Sequence, residues 1–289
     1  MSALRLLRWI VVLLVPARPI PSPADLASPP TADPPAAEWT MVWHDEFDRD
    51  GKPDPSNWDY ERGFVRNDEL QWYQPENASV KGGMLVIEAH RERKPNPGYR
   101  PGARGSRGRE EIEVTSACLI TKGKHEFTYG KFEMRARIDT RLGSWPAFWT
   151  LGAPARRVGW PECGEIDIME YYKGTVLANV CHGLGGRQKW LTTKKPLSEL
   201  GGEAWAKEFH VWTMEWDEKR IDLFLDGKLA AHFEVAGDDE PGKENAFRRP
   251  HYILINQAIG GTSGGDPSKL EYPVRLEIDW VRVYQRTKR

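Results

Sequence analysis

The sequence has 289 residues, enough for one large all-β domain or for two ordinary domains. Its hydrophobic fraction of 39% and charged fraction of 29% are typical of globular proteins. A formal net charge of −1 excludes the strong field of most nucleic-acid or membrane-surface binders, so we expect neither as a partner. The cysteines and histidines lack the spacing of a zinc site, and we expect Cys118, Cys163 and Cys181 to be buried, inert thiols.

The N-terminal residues have the pattern of an export signal. In residues 1–18, Arg5 and Arg8 accompany an apolar run from Trp9 to Val15, much shorter than the ~20 residues that span a bilayer. The alternative is a buried N-terminal strand or helix. Residues 19–38 are rich in Pro, Ala and Ser, as linkers are. We therefore predict a secreted or periplasmic protein, without a membrane span, whose folded domain covers residues 39–289.

Alternating polar and apolar residues predict β-strands through the rest of the chain. The alternation is clear in Lys131–Ile138, Arg220–Leu225 and Arg275–Tyr284. Asp226 and Gly227 predict a hairpin turn, and no long stretch has a helical period. Residues 91–109, rich in Arg, Gly and Pro, predict a long loop between two strands. The pattern as a whole favours an antiparallel β-sandwich.

Three acidic residues lie close together in the stretch 164–170, GEIDIME. On a helix, Glu165 and Asp167 would lie about 200° apart, so one face could not hold all three acids. On a strand, Glu165 and Asp167 share a face, and Glu170 is one residue out of phase. A β-bulge at residues 168–169 would return Glu170 to that face, and bulges are common beside active sites.

On one face of a bulged strand, these acids have the geometry of a glycosidase. The two glutamate carboxyls would be about 5 Å apart, the separation of retaining enzymes. Repulsion among the acids should raise at least one pKa, so that one carboxyl stays protonated near neutral pH. The alternatives are a calcium site and a solvent-facing acidic strand. Ile166, Ile168 and Met169 argue against the second, because they predict that the opposite face is core.

The sequence around these acids resembles glycoside hydrolase family 16, whose signature is Glu-x-Asp-x-(x)-Glu. The bulged form present here is typical of the laminarinase-like, agarase-like and carrageenase-like branches. The resemblance extends over about residues 39–285 through further segments in the family's order: WHDEF at 43–47, WPAFW at 145–149, FHVWTMEW at 209–216, NQAIGG at 256–261 and IDWVRVY at 278–284.

The resemblance implies a concanavalin A-like β-jelly-roll with a concave glycan-binding cleft, so residues 39–289 would be the catalytic domain. Glu165 would be the nucleophile, and Glu170 the general acid and then the general base. Asp167 would hydrogen-bond the nucleophile. The reaction would form a covalent glycosyl-enzyme and hydrolyse it with retention, without a cofactor. Several family members hold a structural calcium remote from the cleft, and Asp279 and Glu46 match those positions.

Substrate-binding residues are predicted around the acids. The alternatives are core packing for the tryptophans, a plain turn for Asn67 and a bond to a neighbouring strand for Asn256. Laminarinase-like members often carry a His after the signature; either Cys181 replaces it here or His182 fills the site, and we predict His182. The predicted set is Trp145, Trp149, Trp160, Asn67, His182, Trp190 and Asn256.

We predict a monomeric, retaining endo-hydrolase of a β-linked polysaccharide, with β-1,3-glucan as the first substrate. Two departures from the laminarinase-like pattern keep a β-galactan of the agarose, porphyran or carrageenan type open. The segments 91–109 and 185–195 are basic, and the stretch 260–265 lacks an aromatic residue after its double glycine. A non-catalytic carbohydrate-binding protein and a transglycosylase are further alternatives.

Overall fold

The computed structural model describes residues 38–184, 187–236, 239, 241–242 and 244–287. The predicted signal peptide and the predicted linker, except Glu38, lie outside the described residues. Within the described part of the chain, no helix is both long and apolar enough to cross a membrane.

Strands dominate the described residues, and the helices are single turns. The strands are β1 (Trp39–Asp45), β2 (Asp59–Tyr60), β3 (Gln71–Tyr73), β4 (Ala78–Val80), β5 (Leu85–Pro95), β6 (Glu111–Ser116), β7 (Cys118–Ile120), β8 (Glu126–Phe127), β9 (Gly130–Ile138), β10 (Ser144–Gly152), β11 (Glu165–Tyr172), β12 (Thr175–Leu184), β13 (Arg187–Pro196), β14 (His210–Trp216), β15 (Arg220–Leu225), β16 (Lys228–Glu234), β17 (His251–Ile259) and β18 (Val274–Arg286). The α-helices are α1 (Ala155–Val158), α2 (Leu197–Leu200), α3 (Glu203–Ala206) and α4 (Gly261–Gly264), and 3₁₀ turns lie at Pro75–Asn77, Gly105–Gly108 and Ala246–Arg248.

The strands form two sheets. The first has the order β16-β15-β14-β9-β18-β5-β6-β3, with β1 beside β18 and β4 beside β5. The second, which we call the cleft sheet, has the order β13-β12-β11-β10-β17-β7-β2, with β8 beside β17. Strands β3 and β6 pair in parallel, and the neighbouring pairs that carry the cleft are antiparallel. The predicted sandwich of antiparallel-rich sheets is confirmed.

The core lies between the two sheets and is built from alternate side chains of their strands. On β9 every second residue is buried, as its sequence pattern predicts. Each large apolar side chain contributes about 1.5–3 kcal/mol when it is fully buried. Burial of the apolar side chains of β11 therefore holds one face of that strand against the core and leaves the other face pointing away from it. Residues of both sheets meet in one cluster, among them Phe132, Met134, Ile138, Phe148, Ile166, Ile168, Met169 and Tyr171.

The predicted hairpin turn is confirmed, and the predicted loop is wrong in its first part. Asp226 and Gly227 join β15 to β16 with φ of 49° and 73°, both in the left-handed region that such two-residue turns require. Strand β5 continues to Pro95, which pairs with Glu111 of β6. Backbone pairing continues here after the apolar alternation has ended, so side-chain pattern alone places the end of the strand too early.

Candidate active site

A groove of about 670 Å³ crosses the outer face of the cleft sheet. Strands β10, β11, β12, β13 and β17 supply most of its lining, and residues 66–69 and 262–263 add to its rim. Nine of the predicted site residues line this one groove: Asn67, Trp145, Trp149, Trp160, Glu165, Asp167, Glu170, Trp190 and Asn256.

The register of β11 with both of its neighbours shows the predicted bulge. Asp167 pairs with Asn179 of β12 and Glu170 pairs with Leu177, so three steps along β11 match two steps along β12. The pairing with β10 shifts at the same place. The extra residue keeps Ile168 and Met169 together in the core and returns Glu170 to the groove.

Donors from both neighbouring strands hold Glu170. Trp145 Nε1 of β10 donates to Glu170 Oε1 at 2.7 Å, and Asn179 Nδ2 of β12 donates to Oε2 at 2.9 Å. Burial raises the pKa of Glu170 to about 7; the indole of Trp145 opposes this rise and the charge of Glu165 adds to it. A carboxyl with this pKa can give up and regain a proton near neutral pH, as a general acid and base must.

Burial raises the pKa of Glu165 above its ordinary value, and the groups around its carboxyl partly offset that rise. Trp160 Nε1 donates to Glu165 Oε2 at 2.8 Å. Burial raises the pKa of Glu165, whereas the Trp160 indole, the positive charge of Arg66 and a hydrogen bond from Asp167 lower it. Of Glu165 and Glu170, Glu165 therefore has the surroundings better suited to the carboxylate and Glu170 those better suited to the acid.

Asp167 lies between the two glutamates along the strand and is 5% exposed. Asn179 Nδ2 donates to Asp167 Oδ2 at 3.1 Å. Burial, followed by the negative charges of Glu165 and Glu170, raises the pKa of Asp167 well above its ordinary value. A protonated Asp167 can donate its hydrogen bond to Glu165, so it supports the ionised state of that neighbour.

Trp149 and Asn256 form the floor of the groove and are held by other protein groups. The Trp149 side chain is 6% exposed, its Nε1 donates to Asn256 Oδ1 at 2.8 Å, and the guanidinium of Arg66 lies 5.0 Å above its ring. Asn256 Nδ2 donates in turn to the Tyr73 hydroxyl at 3.1 Å. Both ends of the Asn256 amide thus bond to other parts of the protein, which was the alternative to a direct bond with substrate.

Trp160 and Trp190 are the open aromatic surfaces of the groove. They are 47% and 42% exposed, whereas Trp145 is 7% exposed. Their ring centroids lie 6.3 Å apart with the planes tilted by 54°, so together they form an apolar wall beside Glu165. This wall fits the predicted sugar platforms better than the buried indoles do.

The prediction of His182 as a substrate-binding residue is wrong. His182 is 3% exposed and its ring packs edge-on against Phe247 of the core, at 5.2 Å between centroids. Cys181 pairs with Glu165 across β11 and β12 and so has the parity of the groove face. Side chains alternate along β12, and the position beside Glu165 therefore belongs to Cys181.

Comparison with known proteins identifies the family that the sequence motifs resemble. Residues 69–282 match the model of glycosyl hydrolases family 16. The chain is 37% identical over 273 residues to a β-glucanase of Rhodothermus marinus, covering 86% of each protein. It belongs to glycoside hydrolase family 16. The predicted family is thus confirmed, and with it the hydrolase class and the jelly-roll fold.

Solved structures of similar proteins superpose on the chain. The catalytic domain of an endo-1,3-β-glucanase, a laminarinase of Thermotoga petrophila, matches with a TM-score of 0.74 and 34% identity over 87% of this chain and 100% of that one. A protein reported among endo-acting O-glycanases of human gut bacteria that initiate mucin breakdown matches with a TM-score of 0.78 and 32% identity, over 88% and 92%. Some curated relatives are longer, and the chain spans 34% of one and 40% of another.

Several groove residues were not predicted from the sequence. Arg66 and Glu69 belong to the same polar run as Asn67, residues 66–69, and this run was a signal that more than one of its side chains points inward. Glu69 is 5% exposed and accepts hydrogen bonds from Gln71 Nε2 at 2.6 Å and from Asn67 Nδ2 at 3.3 Å. Asn67 therefore contacts Glu69 within the groove wall.

Most other groove residues that the sequence did not predict lie on the same strands as predicted residues. Asn179 lies on the same face of β12 as Cys181 and pairs with Asp167, so its place in the sequence relative to Cys181 was the signal for it. The remaining unpredicted lining residues include Leu151, Tyr172, Gln188, Thr192, Lys194, Thr262 and Ser263.

The carboxylates predicted to hold calcium are paired with arginines. Asp279 contacts Arg135, and Glu46 accepts from Arg282 at 2.8 and 2.7 Å. No group of three His, Cys, Asp or Glu residues suited to a metal occurs among the residues that the structure describes. Both carboxylates are thus neutralised by arginines in this arrangement, and calcium binding there stays a prediction. An unchanged melting temperature on adding Ca²⁺ to chelator-treated protein would contradict it.

We expect Asn256→Leu to destabilise the family 16 domain by about 1–3 kcal/mol, because the buried indole of Trp149 loses its acceptor. The melting temperature should fall by several degrees, at about 2–4 °C per kcal/mol for a domain of this size. The control is Gln188→Leu, the same kind of change at an exposed groove position. Equal melting temperatures for the two variants in calorimetry would show that the Asn256 bonds contribute nothing.

Proposed function

We propose that the chain is an endo-acting, retaining hydrolase of a β-linked polysaccharide, with β-1,3-glucan as the first substrate. The observation that carries the proposal is the bulged strand that presents three acids to one groove, with a hydrogen-bond donor and a positive charge acting on Glu165 and a carboxyl at Glu170 whose pKa is about 7. These are the two functional groups that a retaining mechanism needs.

In the first step, Glu165 attacks the anomeric carbon while Glu170 donates its proton to the glycosidic oxygen of the leaving sugar. A covalent glycosyl-enzyme forms at Glu165, and Glu170 is left ionised. In the second step, Glu170 takes a proton from water, the water oxygen attacks the anomeric carbon and Glu165 is released. Two inversions at one carbon give net retention.

Asp167 assists without contacting the reacting carbon. Its hydrogen bond to Glu165 stabilises the carboxylate that must attack and then leave. Asn179 donates to both Asp167 and Glu170 and so fixes the two side chains relative to each other. The wall formed by Trp160 and Trp190 supplies stacking surface for sugar rings on the β13 side of the acids.

The names of the relatives support the choice of substrate. The Rhodothermus protein is a β-glucanase and the Thermotoga domain an endo-1,3-β-glucanase. A keratan-sulfate endo-1,4-β-galactosidase of Sphingobacterium multivorum is also among the relatives, and it supports a β-galactan as the second candidate. A carbohydrate-binding protein without activity would not need the acid pair and its donors. Export and a monomeric state remain part of the proposal, and product chromatography on laminarin, lichenan, agarose, porphyran and carrageenan would identify the backbone.

We expect Glu165→Gln and Glu170→Gln to lose hydrolysis while keeping glycan binding. Loss of the general acid alone should cost about 10²–10⁴ in rate, and loss of the nucleophile at least as much. Asp167→Asn should slow the enzyme less. Glu162→Gln is the matched control, because Glu162 lies three residues before Glu165 but outside the groove lining. Wild-type rates in either of the first two variants, measured by reducing-sugar release, would refute the assignment.

The pH dependence should report Glu170. Because the general acid must be protonated, kcat/KM should fall as the pH rises through about 7, the pKa of Glu170. The Trp145 indole lowers this pKa, so Trp145→Phe should move the alkaline limb to higher pH. Trp205→Phe, which changes a tryptophan outside the groove lining, should leave the limb in place. A limb that stays or moves to lower pH in Trp145→Phe contradicts the role of Glu170.

A further inference from the structure

Strand β13 closes one end of the groove with a face of which the proposed function uses only Trp190, as stacking surface. Gln188, Trp190, Thr192 and Lys194 alternate along this strand and all line the groove. Leu191, on the other face, packs against the core. The face therefore presents an aromatic ring, an amide, a hydroxyl and an ammonium group side by side.

Lys194 carries a positive charge that is not paired with a carboxylate among the described residues. The other cation of the groove lining, Arg66, is paired with Glu61. The next lysine, Lys195, has the opposite parity on β13 and lies 3.9 Å from Glu199. The centre of the groove is acidic, since Glu69, Glu165, Asp167 and Glu170 all line it.

The strand register places Lys194 in one row with the general acid. Glu170 pairs with Leu177 of β12, and Leu177 pairs with Lys194 of β13. Strands β11 and β13 are two strand spacings apart, so the backbones of Glu170 and Lys194 lie roughly 10 Å apart. A glycan that crosses the strands and reacts at the acids would pass over Lys194 within a few sugar units.

We propose that the β13 end of the groove binds an anionic substituent of the glycan, a sulfate ester or a carboxylate, with Lys194 as its counter-ion. The inference rests on the proposed function and deepens it by naming the substrate class. A neutral glucan can be held by stacking and by neutral hydrogen bonds, and it gives an unpaired ammonium group in the groove no partner of opposite charge. An anion placed here lies away from the acids that would repel it, and Trp190 and Thr192 contact the ring that carries it.

Binding to the Glu165→Gln variant separates this inference from turnover. We would measure the Kd of laminarin, sulfated laminarin and carboxymethylated β-1,3-glucan by calorimetry, with and without Lys194→Met. Loss of Lys194 should weaken binding of one or both charged glycans by about fivefold, as expected for a partly exposed charge-assisted contact. The effect should shrink at high salt, and laminarin should bind as before. The sulfated and carboxymethylated glycans distinguish the two sources of the anion.

Lys195→Met is the matched control, since it removes the same charge from the other face of the same strand. Keratan sulfate and its desulfated form extend the comparison to a galactan backbone. Equal weakening of neutral and charged glycans by Lys194→Met, or no weakening on either backbone, would overturn the inference. If wild-type protein cleaves laminarin but Lys194→Met does not weaken binding of charged glycans more than that of neutral ones, the inference fails and the proposed function stands. If it cleaves none of these glycans, the proposed function fails, and the binding comparison still decides the role of Lys194.

Discussion

The one-residue bulge in β11 is the constraint on which the active site depends. Strand side chains alternate strictly, so a regular β11 that kept Glu165 and Asp167 in the groove would turn Glu170 into the core. A buried, unpaired carboxylate there would cost several kcal/mol or would stay neutral. With the bulge, Ile168 and Met169 both face the core, and the outward face gains its third acid. Core packing and the acid constellation are therefore satisfied by the same irregularity.

Once three acids share a face, the neighbouring strands determine their protonation states. The donors to Glu170 come from β10 and β12, whereas Glu165 receives the indole of Trp160 from the loop before β11. Burial alone would raise the pKa of both glutamates. The positive charge of Arg66 and the hydrogen bond from Asp167 lower the pKa of Glu165, whereas the negative charge of Glu165 raises the pKa of Glu170. An ionised nucleophile and a protonated acid can thus coexist on one strand.

Features that depend on local period were predictable from the sequence, and features that depend on contacts between distant segments were not. The bulge follows from counting residues between the acids, and the hairpin follows from Asp226 and Gly227. The parity error at His182 was avoidable, because Val176, Ala178 and Val180 already mark the core face of β12. The arginine above Trp149 was not predictable, since 83 positions separate Arg66 from that ring and only the folded sheet brings them together.

The distribution of charge in the groove limits where a substrate can carry its own charge. An anion next to Glu165 or Glu170 would raise both pKa values further, and a protonated Glu165 cannot act as a nucleophile. Substituents of the sugars that react must therefore be neutral where they meet the acids. At β13 the central acids are farther away, and the charged residue that β13 contributes to the row of Glu170 is Lys194. Such a groove would accept an anionic substituent only at a certain distance from the scissile bond. Repulsion by the central acids and attraction by Lys194 at the rim would both favour the same register of the glycan in the groove.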